Sequence, residues 1–249
     1  MKNFFITTVY EPLYNLLLFL IDIIPGHNVF WATIILTVIV KIILLPLAKK
    51  AMISQIKMKP IQEDIKELQN NHDGSKEELT KKVLELYREN KINPLSPIFI
   101  ILIQLPIILS LYFIFKSGLP TINPEIVYGF IPFPMNVEMV YMGLDLAGKS
   151  LLLALLTGVT QFLYIKRTFS KNNTLEDKNK NNKKSDKVKT AEDIQKALSF
   201  QLTYIMPIII SFVAYTLPAV ISIYWITSNI FAYLQDIYIR SHADKLGIS

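Results

Sequence analysis

The chain has 249 residues, of which 51% are hydrophobic, a mean hydropathy of +0.36 and a net charge of +6. It contains no cysteine, which excludes disulfides, zinc–thiolate clusters, thiol nucleophiles and a lipid-modified N-terminal cysteine. The three histidines (His27, His72, His242) lie far apart in flanks and loops and do not suggest a metal site, so no cofactor is expected. The apolar residues collect in long uncharged blocks, each close to the ~20 residues a helix needs to cross a hydrocarbon core. An all-α polytopic membrane protein is predicted.

Residues 1–27 offer only a poor basic start and a poor small-residue cleavage site for a signal peptide. Asn3, Thr7, Glu11 and Asn15 recur every four positions, with Asp22 on about the same side. This pattern predicts an N-terminal amphipathic helix lying in the interface rather than crossing it, with a sixth span as the alternative. The first span is predicted at 28–48. A polar segment, 49–95, follows. Its first half places Met52, Ile56, Ile61, Ile65 and Leu68 near one face, with an irregularity expected at Pro60. "NNHDG" is a turn, and Ser75 to Glu78 forms a capping box that opens a helix with Leu79, Val83 and Leu86 on one side. The two helices are expected to form a hairpin outside the membrane.

The second span is predicted at 96–115, followed by an irregular loop at 116–149 that holds four of the eight glycines and four of the thirteen prolines. The third span is 150–165. A Lys/Asn-rich linker, 166–198, is too polar to pack a core. The fourth and fifth spans, 199–217 and 218–239, join tightly at Pro218, and a tail covers 240–249. Lys and Arg number ten in 49–95, ten in 166–198 and two in 116–149. By the positive-inside rule the hairpin, linker and C-terminus are cytoplasmic and the 116–149 loop faces outward. Five transmembrane helices satisfy every loop.

One motif misleads. "GLDLAGKS", Gly143 to Ser150, fits the phosphate-binding loop pattern letter for letter. That loop functions only between a strand and a helix of an α/β domain, and no such sequence surrounds it. It is read as a helix-entry turn with Lys149 at the headgroups.

Polar residues also line the spans. Thr33, Thr37 and Lys41 share one face of the first span at i, i+4, i+8. Thr157, Thr160, Gln161 and Tyr164 share a face of the third; Tyr204, Ser211 and Tyr215 one of the fourth. Tyr224, Thr227, Ser228 and Gln235 cluster on the fifth beside Asn229, and the second span offers Gln104. Hydroxyl stripes are ordinary packing devices in membrane helices. Lys41 is not: a charge at such depth costs about 2.5–3.5 kcal/mol on insertion scales. Asp236, at the very end of the fifth span, is the single carboxylate within the predicted spans, so Lys41 has no evident partner at its depth. Lys41 also lies roughly 12 Å before Lys49, too far for full escape to the headgroups. A wet, positively charged pocket open to the cytoplasm satisfies the charge.

With these features in place, the sequence resembles the YidC/Oxa/Alb membrane protein insertases over nearly the whole chain from about residue 27. The segments that carry the resemblance are "WATIILTVIVKIILLPL", "KKAMISQIKMKPIQEDIKELQ", "ELYRENKINPLSPIFIILIQLPIILSLY" and "LDLAGKSLLLALLTGVTQFLYIKR". The most specific is "MPIIISFVAYTLPAVISIYWITSNIFAYLQD". The resemblance implies an insertase, not an enzyme, in the bacterial cell membrane. Such an insertase passes hydrophobic segments of nascent proteins into the bilayer through a hydrophilic groove. It also implies clients arriving from the ribosome or the Sec translocon, contact with membrane lipids and no specific nucleic acid.

The family's groove residues map to Lys41, Thr37, Gln104, Tyr224 and Trp225; Gln161 and Asn229 complete the candidate set from the polar stripes. The family's cytoplasmic hairpin, which captures substrate, maps to 50–92. Bacterial members usually carry arginine where this chain has Lys41, so the charge is kept and the planar fork lost. Ser96-Pro97 stands where a glycine pair is common. No large outer domain precedes the spans, and no long basic tail follows, which implies weak autonomous ribosome docking. An alternative function is a small-molecule or ion transporter using the intramembrane lysine, but acidic coupling residues and paired interrupted repeats are missing from the sequence.

Overall fold

The computed structural model describes residues 2–72, 74–92, 96–117, 119–132, 134, 136–170 and 200–242. The expected linker beyond residue 170 and the tail beyond 242 lie outside these residues. The described chain is mostly helical. α1 (Lys2–Phe5), a π-helical turn (Ile6–Tyr10) and α2 (Glu11–Ile23) run on without a break; α3 (Val29–Asn70), α4 (Lys76–Glu89) and α5 (Ser96–Ser117) follow. After a loop come α6 (Leu151–Ser170), a second π-helical turn (Gln201–Ile205), α7 (Met206–Thr216) and α8 (Ala219–Ser241).

α3 is one helix of 42 residues, capped by Asn28, whose side chain accepts from the Phe30 amide at 2.9 Å. It carries the first apolar block and continues through Pro46 and Pro60. The irregularity expected at Pro60 does not end the helix. A proline removes a single i to i−4 hydrogen bond, and Ile61 and Ile65, both buried against α4, hold the next turn in place.

Ser75 caps α4, accepting from the Glu78 amide at 3.2 Å as its spacing predicts. The Glu78 carboxylate does not complete the box; it lies 4.0 Å from His72 Nε2. α4 ends in a Schellman turn, with Lys91 at φ +54° and the Ile92 amide donating to the Tyr87 carbonyl at 2.9 Å. This turn returns Ile92 onto Ile61 and Ile65, with Val83, Leu86 and Tyr87 packed around them.

α8 is the centre of the bundle. Its residues Ala219 to Trp225 are all buried, and it packs chiefly on α3 and α6. α7 rests mainly on α6, and α5 on α3 and α2; among the described residues α5 and α7 barely touch. The N-terminus of α8 is satisfied by the loop before α6, the Ala219 amide donating to Gly148 O at 2.8 Å and Val220 to Leu146 O at 3.0 Å.

The first helix differs from its sequence pattern. Asn15, expected on a water-facing stripe, is buried. Its amide nitrogen donates to Glu11 O and Ile126 O, and its oxygen accepts from the Tyr128 amide, so a loop replaces the water. The Tyr14 hydroxyl likewise accepts from the Asn123 amide.

The phosphate-loop lookalike also differs in detail. A short strand does precede it, β1 (Val140–Tyr141), but it pairs at once with β2 (Leu144–Asp145) in an antiparallel hairpin. Met142 and Gly143 form the turn, at φ +49° and +78°, so the first motif glycine serves a hairpin. Asp145 then accepts from the Ala147 amide, and Ser150 Oγ from the Leu153 amide at the start of α6. The rejection of the motif stands on this geometry.

Candidate functional site

The candidate residues sit where α3, α5, α6 and α8 face one another. Thr37 on α3 is fully buried, its hydroxyl donating to the Thr33 carbonyl at 2.6 Å. Thr33 Oγ1 is itself buried with no hydrogen-bond partner among the described residues. One turn after Thr37 comes Lys41, half-buried, with no carboxylate paired to it among the described residues.

Tyr224 and Trp225 are buried on α8. The Tyr224 hydroxyl accepts a hydrogen bond from Gln104 Nε2 of α5, across 120 positions of sequence. Asn229, five residues on, donates to Thr160 Oγ1 of α6 at 3.2 Å, and that hydroxyl donates in turn to the Thr157 carbonyl. Thr157 is buried, bonded to Leu153 O at 2.9 Å. Two of the polar stripes are thus interhelical rungs, Gln104–Tyr224 and Thr160–Asn229, and α8 belongs to both. Gln161 is half-buried and makes no hydrogen bond among the described residues.

The charge cluster at the far end of α8 was not legible beforehand. Asp236, fully buried, accepts from Arg167 Nε of α6 at 3.1 Å and from Arg240 Nε at 2.7 Å. Arg167 also lies over the Tyr233 ring, 5.3 Å from its centroid. The i, i+4 spacing of Asp236 and Arg240 was the available signal; nothing local pointed to Arg167.

The bundle's outer surface is apolar. Leu105, Leu109, Leu155, Ile208, Phe212 and Leu234 are all exposed there, as on a lipid-facing surface. The stretches Ile6–Ile23 and Val29–Lys57 are long and apolar enough to cross a membrane; the apolar stretches Ile103–Lys116 and Gln201–Thr216 are shorter. An all-α architecture with such helices and such a surface is that of a membrane protein.

Comparison with known sequences narrows the class. The chain matches the family model of the 60Kd inner membrane protein over residues 20–245 and belongs to that family, the YidC/Oxa/Alb group its motifs resemble. The membrane protein insertase YidC of Fusobacterium nucleatum is 28% identical over 233 residues, covering 93% of this chain and 96% of its own length. That of Oceanobacillus iheyensis is 30% identical over 215 residues, 84% of this chain and 73% of its own. That of Psychromonas ingrahamii is 29% identical over 238 residues; the chain spans only 36% of that longer protein.

Proposed function

We infer that this chain is a membrane protein insertase, which moves hydrophobic segments of client proteins from the cytoplasm into the bilayer without covalent chemistry. The observation that carries its mechanism is Lys41: a half-buried cation on α3, beside buried Thr37, with no carboxylate partner among the described residues. A charge held at such cost and left unpaired awaits a partner from elsewhere.

Five spans, 28–48, 96–115, 150–165, 199–217 and 218–239, cross the membrane with the 49–95 hairpin, the linker and the C-terminus in the cytoplasm. The ties from Gly148 and Leu146 to the start of α8 support one outer side for the 116–149 loop and the Pro218 joint. The N-terminal helix lies along the outer interface. Its middle is tied to that loop at Asn123, Ile126 and Tyr128, and the residues just after its end are tied to the same loop at Glu138. Tyr14 and Asn15 lie about 12 Å of helix before Ile23, so a helix crossing upright would carry them toward the bilayer centre, away from an outer loop.

A client helix with a short acidic outer flank meets the hairpin and enters the groove between α3, α5 and α8. Lys41 attracts the flank, and hydroxyl and amide groups including Thr37, Gln104 and Gln161 replace part of its lost water. The apolar helix then leaves into lipid through the gap between α5 and α7, driven by partitioning. Clients arrive from the ribosome or from the Sec channel. Purified protein in liposomes is expected to insert a small single-span client with no nucleotide present. Insertion no better than in empty liposomes, together with a solute flux, would identify a transporter instead.

A further inference from the structure

Between α6 and α7, on the lipid-facing surface, runs a cleft of about 510 Å³. Its floor is where the two helix backbones touch. A Cβ on Gly158 would sit 3.0 Å from Ser211 Cβ and 3.1 Å from Pro207 O, and Ser211 Oγ donates to Ala154 O at 2.8 Å. Leu155 and Phe212, both exposed, form the walls. The floor carries no free polar group, because the Ser211 hydroxyl is spent on α6. The cleft follows α6 from Leu151 to Phe162, roughly 16 Å at 1.5 Å per residue. It is an open apolar furrow of the kind a hydrocarbon chain lies along, and its charged end suits a lipid headgroup rather than an apolar helix.

One end of the cleft is charged. Lys166, one turn past Phe162, places Nζ 5.3 Å from the Phe162 ring, which lines the cleft beside the Tyr204 ring at 5.8 Å. Its neighbour Arg167 turns the other way, onto Asp236 of α8. The two adjacent cations therefore have different duties. Arg167 is neutralised inside the bundle, and Lys166 has no carboxylate partner among the described residues.

We propose that this cleft holds one acyl chain of an anionic phospholipid of the cytoplasmic leaflet, with the lipid phosphate on Lys166. The leaflet rests on the orientation given above, in which α6 ends in the cytoplasm; the chain-and-cation geometry does not. The test uses the full chain in proteoliposomes of phosphatidylcholine with a minority of phosphatidylglycerol. Photoreactive benzoylphenylalanine replaces Val159 in the cleft or, as a control, Leu109 on α5. At the cleft, phosphatidylglycerol adducts should exceed their bulk share about fivefold, the ratio that one lysine near an anionic headgroup supplies. At α5 they should match the bulk.

Lys166→Gln should return the cleft to the bulk ratio and Lys166→Arg should retain the enrichment. Bulk labelling in the parent protein, enrichment that survives Lys166→Gln, or adducts with protein rather than lipid would each overturn the proposal. Client insertion measured in the same liposomes separates the two readings. An inactive protein that still enriches the lipid sinks the insertase alone, and an active one without enrichment sinks the lipid site alone.

Discussion

Two charged places in this bundle follow opposite rules. At the end of α8, Asp236 is fully buried and each of its oxygens is held by an arginine. On α3, Lys41 is half-buried beside a fully buried threonine and is held by no carboxylate among the described residues. The first arrangement closes on itself and can only hold helices together. The second is incomplete, and completes itself only when something negative arrives. Charge that fastens the bundle is paired within it, whereas the charge proposed to handle a client is left open.

The contrast breaks most visibly at Asp236. Asp236→Ala leaves Arg167 and Arg240 without their carboxylate, and loss of one partner from a buried ion cluster typically costs about 3–5 kcal/mol. The variant is expected to lose folded protein in detergent, measured as a large drop in thermal unfolding temperature, with α6 separating from α8 before the rest of the bundle opens. Lys41→Ala should do the reverse, leaving the unfolding temperature nearly unchanged because no partner is stranded. Its effect belongs to activity. Lys41→Glu is expected to reduce insertion of acidic-flank clients roughly tenfold or more, the factor equal to about 1.4 kcal/mol of repulsion, while Lys41→Arg stays active. Equal insertion of acidic and neutral flanks by Lys41→Glu would remove the electrostatic role.

Much of this was readable in advance, and the reasons are local. The Thr33–Thr37–Lys41 face follows from helical spacing, and the Ser75 cap from a four-residue signature. What escaped was long-range or contextual. Arg167 and Asp236 are 69 positions apart, and no periodicity connects them. Asn15 fitted a polar stripe because its type is polar; that a loop carbonyl and a loop amide rather than water satisfy it depends on where residues 123–128 return. Pro60 marked a break in sequence terms, but tertiary packing of Ile61 and Ile65 carried the helix past it. Crosslinkers at Lys41, Gln104 and Trp225 are expected to capture a stalled nascent client.

Smaller effects sharpen the same comparison. Tyr224→Phe removes the acceptor of Gln104 and one of the two rungs on α8. Such interhelical bonds are worth about 0.6 kcal/mol on average in membrane bundles, so a modest fall in unfolding temperature is expected. The smallest effect lies in the hairpin. Burial pushes the Tyr87 phenol above its ordinary value of 10.0. A raised pKa means the folded form favours the neutral phenol, so its contribution is complete below pH 10 and is lost as pH rises beyond it. Protection of the α4 amides, corrected for the intrinsic rise of exchange with pH, should therefore fall above pH 10, and Tyr87→Phe should remove that fall.

The unbroken course of α3 has a mechanical consequence. From Lys41 to Asn70 the helix continues for 29 residues, about 43 Å, so a single element joins the unpaired cation to the turn that precedes α4. On the proposed orientation that element reaches from the bilayer into the cytoplasm, and a tilt of about 5° would carry its far end roughly 4 Å. A client settling on the hairpin would then act on the same helix that carries the cation.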